Sequence, residues 1–264
     1  MTYFQSIILG LVEGVTEYLP ISSTFHLIWT SKLLGVAQTD FQKAYEVIIQ
    51  GGAILAVLLL YLNTFLTNRK LLLKIFYSFV PTAILGFLLY KIIKGSFFEN
   101  YQLQLAIFAF VGLFFMFYEA FVSKLNLKKN LADLSTRDAL IIGFIQVLAV
   151  FPGVSRAGAV IVGMMVLRVK RDEAAKYSFL LAVPTLLAAS ALDLYVSLPT
   201  LVSHPENMGF LIVGFITSFI SALFVVKWLI NFLQKHTLVA FGIYRLILAS
   251  SLFLLFFKQG GEFL

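Results

Sequence analysis

Six stretches of this 264-residue chain, roughly 45–62, 71–93, 102–122, 177–196, 209–230 and 238–257, run apolar for the length of a bilayer-crossing helix. A helix needs ~20 mostly apolar residues to cross the hydrocarbon core of a membrane. These runs predict an all-α polytopic membrane protein, a single integral membrane domain over residues 1–264. Only 12% of the residues are charged and 60% are hydrophobic, and a water-soluble fold of this size has no interior large enough to hide that much apolar surface. No cysteine is present, which excludes disulfides and thiolate metal sites. The net charge of +7 suggests nucleic acid at first sight, but the basic residues are scattered over short loops and form no stripe with interleaved aromatics. No nucleic-acid partner is therefore expected. The N-terminus lacks the basic start of a cleavable signal peptide, and Glu13 and Glu17 interrupt its first apolar run.

Two further apolar regions do not read as simple spans. Residues 2–35 are broken by Glu13, Glu17 and Pro20, and residues 139–168 by Pro152-Gly153 and Arg156. Each is expected to form two half-helices joined by polar backbone, which a membrane tolerates only where protein buries it or it lines a cavity. Treating both as re-entrant hairpins makes the six spans alternate. The loops near 63–74, 123–138, 168–176 and 227–237 then share one side and hold most of the lysines and arginines. The other side keeps only Lys43, Lys91, Lys94 and Lys258. The first side is therefore expected to be cytoplasmic, with both termini outside. An inverted repeat follows, with repeat one at 1–122 and repeat two at 138–257. Gly10-Leu11-Val12-Glu13 lies over Gly143-Phe144-Ile145-Gln146, and Ser22-Ser23 over Ser155-Arg156, both at an offset of 133 positions. Interrupted segments at matching places in two halves point to a site at the membrane midplane.

The polar residues of the two hairpins carry the expected chemistry. Glu13 and Glu17 stand four apart, on one helix face. Adjacent carboxylates in a membrane repel each other unless they share a proton or a cation, and a hard divalent cation, Mg²⁺ first and Ca²⁺ next, suits them. The competing reading has one carboxylate capping the break and the other facing headgroups. Ser22, Ser23 and Thr24 precede His26, and helical spacing predicts hydroxyls near the imidazole, the pairing needed to activate an oxygen nucleophile. The same hydroxyls also suit a helix cap after Pro20. In the second hairpin Arg156 sits mid-run, flanked by Gly153, Ser155 and Gly158. Arginine grips phosphate bidentately, and a half-helix N-terminus offers free amides. An ion pair from Arg156 to Glu13 or Glu17 competes with that role. Glu46 and Gln50 either extend the polar site or lie at headgroup level. Arg245 is a second isolated charge with no acid near it in sequence, while His204 and His236 fall between apolar runs and read as solvated. An acidic lobe with a divalent cation opposite a basic, glycine-rich lobe would grip a phosphorylated lipid, whose tail enters sideways from the bilayer.

Three ordered motifs, Glu13-Gly-Val-Thr-Glu17-Tyr-Leu-Pro-Ile-Ser-Ser-Thr-Phe-His26, the run from Tyr45 to Val57, and Phe151-Pro-Gly-Val-Ser-Arg156, resemble the undecaprenyl-diphosphate phosphatase family of the bacitracin-resistance type. The resemblance implies six spanning helices with two re-entrant hairpins, and hydrolysis of undecaprenyl diphosphate to the monophosphate in a bacterial plasma membrane, with the site open to the outside. It implies metal-associated or acid–base roles for Glu13 and Glu17. Ser23 and His26 become nucleophile or base candidates, and Ser155 and Arg156 diphosphate binders. A polyprenyl-phosphate carrier without hydrolytic activity is the alternative, and a homodimer is an oligomeric state open to such a chain. The chain departs from the family pattern at Phe25, where glycine is usual, and at Ala157 and Val160, where serine and threonine are usual. Two phosphate-facing hydroxyls are thus expected to be missing, each worth roughly 1.5–3 kcal/mol as a hydrogen bond to a charged group.

Overall fold

The computed structural model describes residues 1–37, 39–96, 100–151, 153–203 and 207–258, so Pro152 and His204 lie outside the described residues. Among these residues there is no strand, only an isolated bridge between Lys129 and Val169. The helices run α1 (Tyr3–Thr16), α2 (Ser23–Leu33), α3 (Asp40–Leu60), α4 (Leu62–Thr67), α5 (Arg69–Ser96), α6 (Tyr101–Val122), α7 (Thr136–Gln146), α8 (Arg156–Val166), α9 (Arg171–Ser203), α10 (Met208–Lys235) and α11 (Val239–Lys258). Five are long and apolar enough to cross a membrane: α3, α5 over Arg69–Leu89, α6, α9 over Arg171–Ala191, and α10. The sixth expected run falls in α11, whose apolar part Val239–Leu255 is shorter. The outward faces of these helices are oily: Phe87, Phe110, Phe117 and Phe224 are each at least two-thirds exposed. Exposed aromatic bands of this kind suit lipid and not water, and the chain is a multi-pass membrane protein.

Helix starts differ from the hydropathy edges where polar groups extend a helix beyond its apolar run. The α9 helix begins at Arg171, ahead of the run at 177, with Asp172 and Glu173 in its first turn. Carboxylates there offset the positive end of the helix dipole. The α1 and α7 helices both open with capping boxes, Thr2 with Gln5 and Ser135 with Asp138.

Both predicted breaks are present. The first helix stops at Thr16 and the chain resumes helical form at Ser23 after a turn containing Pro20, with Ser22 at φ 69°. The second stops after a short 3₁₀ segment, Val147–Val150, and resumes at Arg156, with Gly153 at φ 96° and Ser155 at φ 71°. A positive φ at serine is strained. Here it occurs twice, at the residue that immediately precedes each second half-helix.

Close helix contacts bring the breaks together. A Cβ added to Gly10 would lie 2.4 Å from the Gly214 carbonyl oxygen, so α1 presses backbone to backbone on α10. Gly143 does the same for α7 on α5, 2.4 Å from the Ser78 carbonyl oxygen. Small residues at helix crossings are how membrane helices approach this closely. The α3 helix packs along α9 and α10, and α6 along α11.

Candidate active site

The N-termini of α2 and α8 face one cavity of about 190 Å³. Ser22, Ser23 and Thr24 line it from the first hairpin, with Glu17; Gly153, Ser155 and Arg156 line it from the second. The first residues of both half-helices therefore line one volume, and helix N-termini favour anions. Ser155 caps α8 by accepting from the Gly158 amide at 3.2 Å, whereas Ser22 makes no side-chain cap bond on α2. The cavity is below the ~300–1,000 Å³ of a drug-sized ligand site. It is sized for a headgroup, not for a lipid chain.

One hydrogen-bonded chain crosses from hairpin to hairpin. The Ser23 hydroxyl donates to Glu17 Oε2 at 2.5 Å, and Arg156 Nη2 donates to Glu17 Oε1 at 3.1 Å. Arg156 Nη1 donates to the Ser178 carbonyl at 2.9 Å, and its Nε has no partner. All three residues are largely buried, so the ion pair is shielded and unscreened by salt. Of the two expected acids, Arg156 thus pairs with Glu17. Glu13 is 1% exposed, and neither carboxylate oxygen has a hydrogen-bond partner. A buried carboxylate is costly unless it shares a proton or a cation.

Several other expected residues sit differently. The imidazole of His26 does not reach the serine hydroxyls. Its Nδ1 donates to the Ser22 carbonyl at 2.8 Å and its Nε2 bonds the Tyr244 hydroxyl at 2.8 Å. The reason is helical: residue 22 lies one turn before residue 26, and its carbonyl, the first acceptor of α2, takes the His26 backbone N–H at 3.3 Å and the ring Nδ1–H together. Gly158 approaches Phe115, its absent Cβ being 2.7 Å from Phe115 Cζ, and does not line the cavity. Gln50 lines the cavity. Glu46 instead accepts from Ser31 at 3.3 Å and Gln42 at 3.0 Å, in a polar cluster between α2 and α3. Ala157 and Val160 are buried in the helix core and do not line the cavity. The hydroxyls expected to be missing from the phosphate site would therefore face packed apolar side chains here. Phe25 stacks on Phe108 with ring centres 3.9 Å apart.

Thr82, Gln146 and Thr185 also line the cavity and were not singled out from the sequence. Gln146 donates to Thr82 Oγ1 at 2.8 Å and Thr185 Oγ1 at 3.3 Å, leaving its own oxygen without a partner. The one available signal was Gln146 standing opposite Glu13 in the repeat alignment. No group of three or more His, Cys, Asp or Glu residues suited to a metal occurs among the described residues.

The match with known proteins covers nearly the whole chain. A relative from Aquifex aeolicus named undecaprenyl-diphosphatase is 45% identical over 248 residues, 94% of this chain and 96% of that protein. Relatives of the same name from Sulfurihydrogenibium sp. and Persephonella marina are 47% and 46% identical, over 94% and 97% of this chain and 97% and 99% of their own lengths. The family model described as Bacitracin resistance protein BacA matches residues 6–251, a span that contains both breaks, the cavity and every residue of the Ser23–Glu17–Arg156 chain, and this protein belongs to that family.

Proposed function

We propose that this protein hydrolyses undecaprenyl diphosphate to undecaprenyl phosphate and inorganic phosphate, recycling the carrier lipid for cell-wall synthesis. The observation that carries the reading is the Ser23–Glu17–Arg156 chain, set where two half-helix N-termini meet. Relatives named undecaprenyl-diphosphatase at 45–47% identity supply the substrate. The diphosphate enters the cavity, the Arg156 guanidinium and the amides of α2 and α8 take its negative charge, and the prenyl chain stays in the bilayer. Ser23 already points its proton at Glu17, so Glu17 serves as base and the Ser23 oxygen attacks the terminal phosphorus while the lipid phosphate leaves. Glu17 passes that proton to the departing lipid phosphate; ionised again, it takes a proton from the water whose oxygen attacks the phosphoserine and returns it to the Ser23 oxygen as inorganic phosphate leaves. His26 acts through Ser22, holding the carbonyl that begins α2. Most of the catalytic effect is positioning and charge stabilisation, as phosphoryl transfer requires.

The residues present fit a divalent cation, Mg²⁺ first, held by the unpartnered carboxylate of Glu13 and by Glu17. Such an ion uses one or two carboxylates and fills its other positions with phosphate oxygens and water, so the absence of a larger ligand cluster among the described residues accords with it. When bound it would supply charge neutralisation of the diphosphate.

The reading includes six spanning helices and two re-entrant hairpins arranged as inverted repeats, 1–122 and 138–257. Matched contacts support it: α1 on α10 corresponds to α7 on α5, and the Gly10 and Gly143 crossings stand at the 133-position offset. Loop charges support an orientation with both termini outside, and the bacterial plasma membrane and the outer-face site are assigned by family resemblance. The test is phosphate release from farnesyl or undecaprenyl diphosphate by purified protein with Mg²⁺, beside Glu17→Ala and Arg156→Ala and with EDTA. Release by the wild type, lost in both variants and with EDTA, is expected. Binding of the lipid without release by folded wild-type protein would point to a carrier instead.

A further inference from the structure

Arg245 is fully buried in α11, and no ion pair among the described residues involves it. Its guanidinium donates to three backbone carbonyls: Phe108 at 3.1 Å, Pro20 at 3.0 Å, and Gly153. Two of these acceptors lie in the breaks of the two hairpins. Each stands two residues before the serine that opens a half-helix, Pro20 before Ser22 and Gly153 before Ser155. They also occupy equivalent places in the two halves, at the offset of 133 positions that relates Ser22 to Ser155.

Arginine 245 has its own counterpart at that offset, Gly112 in α6. The two positions touch: a Cβ on Gly112 would lie 3.0 Å from Arg245 Cβ and 3.0 Å from the Gly242 carbonyl oxygen. The α6–α11 contact is thus one of the places where the halves meet, and one arginine occupies it while its counterpart is reduced to hydrogen. Its guanidinium sits 4.3 Å from the centre of the Phe108 ring, on which Phe25 stacks at 3.9 Å. Two groups centred that closely take opposite faces of the ring, which gives the unusual Phe25 a place in the support of Arg245.

The arrangement satisfies both sides. Non-helical carbonyls inside a membrane have lost their helix partners, and each costs several kcal/mol if left bare. A buried guanidinium needs acceptors equally, and its planar fork reaches diverging oxygens that a lysine ammonium cannot span together. We propose that Arg245 is a positioning residue: by tying Pro20 to Gly153 it sets the distance between the N-termini of α2 and α8, and so the fit of the cavity to the diphosphate in the transition state. This rests on the hydrolase reading above.

The test is Arg245→Lys, which keeps the charge and loses the fork, measured for phosphate release, with monodispersity and thermal midpoint in detergent recorded alongside. A misplacement of about 1 Å can cost ~10²-fold in rate. The expected result is a folded protein whose kcat falls at least tenfold while KM changes less than threefold. Wild-type kcat and KM in folded Arg245→Lys would overturn the proposal. A second variant moves the arginine across the contact, Arg245→Gly with Gly112→Arg, and is compared with Arg245→Gly alone. Recovery of at least tenfold in kcat is expected, because a Cβ at position 112 starts 3.0 Å from Arg245 Cβ and an arginine there is long enough to reach the same two break carbonyls. If Arg245→Lys does not fold, the double variant decides: folded protein without recovery overturns the proposal, and so does failure of both variants to fold, which would make Arg245 a residue of stability alone. Silence of the wild type would instead sink the hydrolase reading.

Discussion

The first hairpin carries two carboxylates, Glu13 and Glu17, whereas the second carries the amide of Gln146 and the guanidinium of Arg156 on a backbone that turns in the same way. Ser22 and Ser155 share a positive φ and the same place before a half-helix, yet Glu13 corresponds to Gln146, Glu17 to Val150 and Ser23 to Arg156. Their hydrogen bonding differs accordingly. Gln146 spends both amide protons on Thr82 and Thr185, while the carboxylate oxygens of Glu13, at the matching position, are without a hydrogen-bond partner. Duplicated geometry has thus been given divided chemistry. On the proposed reading the second hairpin would supply charge for anion binding, and the first the base and the oxygen it activates.

That division is sharpest at Glu17. Replacing it by Gln removes the base and the partner of Arg156 together, and phosphate release should fall by ~10²- to 10⁴-fold, the range of general acid–base catalysis. A Glu17→Gln protein retaining a tenth of the wild-type rate would mean that the first hairpin is not the catalytic one. Arg156→Lys keeps a positive charge but loses the fork, and a fall in kcat of ~10²-fold is expected, as for the loss of a donor to a developing anion. Equal kinetics for lysine and arginine would reduce the second hairpin to a source of net charge.

Smaller effects test the caps. Ser155→Ala deletes the side-chain cap of α8, for which a loss of ~0.5–2 kcal/mol is expected, read as a lower thermal midpoint in detergent. Ser22→Ala deletes no cap bond and should leave the midpoint nearly unchanged, so equal shifts in the two variants would contradict the asymmetry of the hairpins. The smallest effect on activity is expected from restoring the family residues, Ala157→Ser with Val160→Thr. Both positions face the core, so kcat should stay within about threefold, while the buried threonine hydroxyl lowers stability by ~1–3 kcal/mol. A large gain in phosphate release would show that these positions reach the substrate after all.

Hydropathy and turn chemistry act along a few consecutive residues, and what depends on them was legible in the sequence: the membrane class and the placing of both breaks. Hydrogen-bond partners in a membrane are found across helices, because lipid supplies none, and those pairings join residues far apart in the chain. Spacing alone put His26 beside the serine hydroxyls, and it took the tertiary structure to give its nitrogens to the Ser22 carbonyl and to Tyr244, 218 positions away. The same holds for Thr82 and Thr185 in the cavity wall, and for the turning of Ala157 and Val160 toward the core. Arg245 states the limit most clearly. Its sequence shows a lone charge in an apolar run, and nothing local to it could reveal three carbonyl acceptors drawn from three other segments.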